Sequence, residues 1–185
     1  VYVLLPFVTK ARETDSSMAG ANILGQMFTV FLITYTIVAT LLFIFAPYIV
    51  KVIFPGFTSD SETLVTLLRI LLLQPLLLGI SSLFGVVTQL SQRFVLYAIS
   101  PLWFGLVGLV SGVVIGALGH MLVQLPLILR SELSFGLVKQ FDFSLLRSIL
   151  FVAIPRAITL SIHQLVLLVL ISIATLMTAG SVSIF

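Results

Sequence analysis

No cysteine occurs in the 185 residues, which excludes disulfides, thiolate nucleophiles and cysteine-based metal sites. Charge is scarce too. Only 8% of the residues are Asp, Glu, Lys or Arg, far less than a water-soluble domain of this length exposes. The basic residues stand in ones and twos between apolar runs, so there is no clustered patch for nucleic acid. The start lacks the basic n-region and small-residue cleavage site of a secretory signal. No nucleophile–base pair, glycine-rich phosphate loop or HExxH is present, so the residues point to no enzyme, no metal site and no cofactor. The six acids, Glu13, Asp15, Asp60, Glu62, Glu132 and Asp142, all fall in connections. No intramembrane carboxylate is therefore available for protons or sodium, which weakens a cation-coupled mechanism within these residues.

What remains is apolar: 60% of the chain is hydrophobic and its mean hydropathy is +1.30. The expected fold is an all-α polytopic membrane protein, a transmembrane helix bundle. Ile70–Leu90 supplies the roughly 20 apolar residues that a span needs, with Pro75 inside it. Gly79, Gly85, Ser81 and Ser82 give it a small-residue face for close helix contact. Before it, Met27–Val50 reads as a span whose polar groups are hydroxyls, with Pro47 near its end. Asp15, Ser16 and Ser17 are N-cap candidates ahead of that span. Phe54-Pro55-Gly56-Phe57 reads as a turn in which Gly56 permits a positive φ. Asp60 and Glu62 suit the positive end of a following helix. Ser148–Met177 forms the last span, with Asp142 as its cap. Val1–Val8 reads as the last turns of a span begun earlier, so the expectation is a piece of a longer protein.

Two considerations collide between Tyr97 and Leu129. These 33 or so residues would make one helix of about 50 Å, too long for an apolar core of about 30 Å. Two full spans with a turn need more than about 40. If Lys10 and Arg12 are cytoplasmic, Lys51 lies outside and Arg93 inside; the basic stretch of Arg130, Lys139 and Arg147 should also be inside. That demands an even number of crossings. Two crossings are favoured, with about 20 residues (one span) absent near Phe104–Leu106; a re-entrant pair of half-helices is the alternative.

An ionised group inside a span marks a functional site by default. Arg69 either snorkels to the interface or serves a cavity. Arg156 follows Pro155, where the backbone is already perturbed, and His163 lies one heptad further on nearly the same face. His163 is either a packing residue or a ligand. Gln164 suits a helix–helix hydrogen bond. A phosphorylated or carboxylated headgroup would want a cation such as Arg156.

The order of motifs resembles the MurJ (MviN) family of lipid II flippases, in the MOP exporter superfamily. The matching residues are LLPFVTKARE (Leu4–Glu13), APYIVKVIFPGF (Ala46–Phe57) and LRILLLQPLLLGISSLFGVVTQLSQRF (Leu68–Phe94). AISPLWF (Ala98–Phe104), GVVIGALGHMLVQLP (Gly112–Pro126), IPRAITLSIHQL and the closing GSVSIF continue them. The resemblance implies a fourteen-span, two-lobed fold, of which these residues cover the end of the second span through the seventh. It divides the chain into N-terminal lobe spans (1–130), an amphipathic interfacial connection (131–147) and the first span of the second lobe (148–185). It implies a bacterial inner-membrane flippase for an undecaprenyl-pyrophosphate-linked peptidoglycan precursor, acting by alternating access. Membrane lipids and the missing spans of the same chain would be its partners. The family's best-known cavity arginines lie in spans outside these residues, so the substrate-binding candidates here are Arg156, Gln164, His163 and Arg69. The rival readings are another MOP-type exporter, for polyprenyl-linked saccharides or drug/cation exchange, and a non-transporting membrane scaffold.

Overall fold

The computed structural model describes residues 3–14, 17–56, 61–92, 112–131 and 136–176. Among these residues there are no strands. The helices are α1 (Leu4–Thr14), α2 (Ser17–Ile53), α3 (Ser61–Leu71), α4 (Leu73–Leu90), α5 (Val113–Arg130) and α6 (Phe143–Ala174). Among the described residues, four stretches are long and apolar enough to cross a membrane: Met18–Ile53, Ser61–Leu90, Val113–Arg130 and Phe143–Ala174. The all-α polytopic membrane fold is therefore present.

Helix α2 has 37 residues, about 55 Å at 1.5 Å per residue, so its ends reach beyond an apolar core of about 30 Å. It begins ten residues before the span expected from Met27. The small residues before Met27 stay helical because Ile23, Leu24 and Gln26 are buried there. The span expected over Ile70–Leu90 is instead two helices that meet at Leu72. Pro75 has no N–H for the Leu71 carbonyl, which loosens the ladder at that point. Glu62 lies in the first turn of α3, as its charge favours; Asp15, Ser16 and Asp60 lie outside the described residues.

Helix directions follow from a ladder of contacts. Arg69 meets Phe43 and Tyr35 meets Leu72, and Gly79 lies against the Phe31 ring. Residue numbers fall along α2 as they rise along α3 and α4, so these elements are antiparallel. Ser81 meets His120 and Gln124, while Val86 and Val87 share a buried cluster with Ile128. Helices α4 and α5 are thus parallel. The residues between them, and the break expected near Phe104–Leu106, lie outside the described residues.

The buried core gathers at one end of the bundle. Val8 of α1, Ile23 and Leu24 of α2, Phe84, Val86 and Val87 of α4, Ile128 of α5 and Ile149 of α6 form one cluster. Lys10 and Arg12 lie near the end of α1, Arg130 ends α5 and Arg147 lies near the start of α6, the helix ends nearest this cluster, whereas Lys51 lies at the far end of α2. The small-residue face expected on α4 is divided between neighbours. Gly79 faces α2 through Phe31, Ser81 faces α5, and Ser82 is exposed and bonds its own Leu78 carbonyl. A helix surface of that width cannot present all four positions to one partner.

Helix α6 is held at its two ends. Asp142 caps it by accepting from the Ser144 and Leu145 amides at 3.0 and 3.1 Å, as the sequence predicted. Its far end meets the Pro55-Gly56 turn, where the Gly56 amide lies 3.4 Å from Thr175 Oγ1. Gly56 does not take the positive φ expected of it; only Gly112 does among the described glycines. A Cβ on Gly56 would overlap the Thr175 carbonyl, so close approach is what requires glycine there.

Candidate functional site

Polar chemistry sits at both ends of α2 and once in the middle of the bundle. Near its C-terminal end, Pro47 lacks the N–H that would bond the carbonyl four residues earlier, that of Phe43. Arg69 Nε donates to that carbonyl at 3.3 Å, and its guanidinium stacks 4.6 Å over the Phe43 ring. Inside hydrocarbon an unsatisfied carbonyl finds no water, and stacking on an aromatic face offsets part of the cost of holding a cation there. One α2 turn pair closer to the middle, the Tyr35 hydroxyl donates to the Leu72 carbonyl at the α3–α4 break. Between these helix ends lies a cavity of about 640 Å³, lined in part by Pro47, Lys51, Phe54, Glu62, Thr66 and Arg69.

At the other end of α2 a cavity of about 450 Å³ is lined by Lys10, Thr14, Asn22, Gln26 and Asp142 among others. Residues 136–142 cross this end of α2 in non-helical conformation. Their amides are taken up by α2 side chains: Val138 N donates to Thr29 Oγ1 and Asp142 N to Gln26 Oε1, each at 3.0 Å. Gly25 makes room, since a Cβ there would sit 2.6 Å from a Val138 methyl. Buried Gln26 and Thr29 thus replace the hydrogen bonds that this segment does not make with itself.

Between α4 and α5 lies a polar triple of buried Ser81 and Gln124 with half-buried His120. The Ser81 hydroxyl is 2.5 Å from His120 Nδ1 and accepts from Gln124 Nε2 at 2.7 Å. The hydroxyl, one donor and two acceptor sites, thereby bridges the two α5 side chains. Ser81 and Gln124 are fully buried. This cluster ties two spans together through hydrogen bonds that lipid cannot replace.

The sequence candidates separate into two groups. Arg69 lines the cavity beside α2, whose lining includes no α6 residue. Arg156, His163 and Gln164 lie together in the middle of α6, all exposed. Seven residues of helix put Arg156 and His163 about 10 Å apart along the axis. Sequence reasoning placed Ser81 on a small-residue face without pairing it with His120 or Gln124, and it gave Tyr35 no role. Nothing in an apolar run says which serine or tyrosine will face a neighbouring helix. The donor-less carbonyl below Pro47 was the one available signal for Arg69.

A family model described as lipid II flippase MurJ matches residues 1–185. No curated protein matches the chain.

Proposed function

The chain belongs to the MurJ family of lipid II flippases, and from that premise we propose that it carries an undecaprenyl-pyrophosphate-linked peptidoglycan precursor across the bacterial inner membrane by alternating access. The chain is a multi-pass membrane protein of transport rather than catalysis, with lipid II as its substrate. The family match over the whole chain is the observation that carries this reading. In the proposed cycle the saccharide–peptide headgroup passes through a wet, cationic cavity and the polyprenyl tail stays in hydrocarbon. Helices with proline breaks and close small-residue contacts suit a bundle with two packings.

Arg156, His163 and Gln164 are the proposed headgroup contacts on α6, with further spans of the same protein completing the cavity. Arg156 supplies positive charge for a pyrophosphate or carboxylate. The order of the basic residues supports Lys10, Arg12, Arg130 and Arg147 on the cytoplasmic side. Arg156→Ala in the complete protein should slow lipid II translocation in proteoliposomes about tenfold, the loss of one charge-assisted hydrogen bond. Translocation at the unaltered rate would remove Arg156 from the site.

A further inference from the structure

We propose that Arg69 and Tyr35 are positioning residues for translocation, clamping the proline break of α2 to the break between α3 and α4 so that these spans move as one body. The proposal takes its transport readout from the flippase reading, but its geometry stands apart from it.

Each span has one weak point. In α2 it is the Phe43 carbonyl, deprived of its intrahelical donor by Pro47; in the next span it is the junction at Leu72, ahead of Pro75. Each weak point is held from the opposite helix. Arg69, in the last turn of α3, donates to Phe43 O and stacks on the same residue's ring. Tyr35 of α2 donates to Leu72 O. Gly79 against Phe31 continues the seam. Because the two bonds cross the interface in opposite senses, neither helix can shift at its weak point without disturbing the bond that holds the other. This also gives Arg69 a role other than headgroup binding: its Nε and its aromatic stack are both directed to Phe43.

The roles can be separated because alanine at position 47 would return an N–H to the Phe43 carbonyl. In the full-length protein, reconstituted with fluorescent lipid II, translocation rate, lipid II affinity and melting temperature are measured together. Arg69→Met should slow translocation about tenfold, as loss of a charged donor does, with lipid II affinity unchanged. Pro47→Ala placed on Arg69→Met should restore melting temperature, by returning a donor to the Phe43 carbonyl, but not the translocation rate, because the link between the helices stays absent. Tyr35→Phe should slow translocation about fivefold, and the Tyr35→Phe/Arg69→Met double variant should be no slower than Arg69→Met, since a clamp opened once is open. Rescue of the translocation rate by Pro47→Ala, or multiplicative losses in the double variant, would overturn the clamp. So would lost lipid II affinity in Arg69→Met that Arg69→Lys recovers, which would make Arg69 a headgroup ligand. Wild-type protein that moves no lipid II would instead count against the flippase reading. The clamp would then still be read from melting temperature, where Pro47→Ala should offset the loss at Arg69.

Discussion

Ser81 has one hydroxyl proton and serves two partners on another helix, His120 and Gln124. Ser81→Ala removes the shared atom from the centre of a buried site while leaving its volume almost unchanged. Interhelical hydrogen bonds in membrane proteins average about 0.6 kcal/mol and reach about 1.7. Two bonds lost together should cost about 1–2 kcal/mol, seen as a lower melting temperature in detergent. An unshifted melting curve would mean that water takes over the hydroxyl's role. Arg69 is the second case at this scale. A cation in the outer part of a span looks in sequence like a snorkelling residue or a ligand. The contact with Phe43 becomes visible only when the two helices are placed side by side.

At the scale of elements, α6 shows how a long apolar helix is held without a long interface. Its start is fixed by Asp142, by Gln26 and by Thr29, and its end by Thr175 against Gly56. Gly56→Val should displace the last turn of α6, because the obstructing atom is a backbone carbonyl that cannot rotate away. The expected cost is about 1–3 kcal/mol, typical of overpacking. Proteolysis of the 174–176 region should accelerate; resistance equal to the wild type would show that the turn can shift. Asp142→Ala removes the cap from two amides and should cost about 1 kcal/mol. Asp142→Asn should retain most of it, because an amide oxygen also accepts.

For the whole molecule, the buried cluster at the basic end is the region that ties α1, α2, α4, α5 and α6 together, whereas the middles of α2 and α6 are exposed along most of their length. Hydrogen exchange in detergent should therefore be slowest at Val86–Thr88, which are completely buried. It should be faster around Pro155, where the helix ladder is interrupted and the surroundings are open. Equal protection at both places would show that the bundle opens as one unit rather than from its exposed part.

Composition alone determined that this chain crosses a membrane and that its spans are helices. Both follow from a property of the bilayer: hydrocarbon excludes charge and leaves no backbone group unpaired. The P-G turn, the Asp142 cap and the place of Glu62 were local enough to read as well. Only the tertiary structure decided that Gly56 serves a close approach, that Gly79 and Ser81 face different helices, and that Arg69 and Tyr35 reach across to opposing breaks. The spans are apolar on every side, so their sequence carries no amphipathic direction. Which faces meet is then set by the register between helices, which depends on residues far apart in the chain.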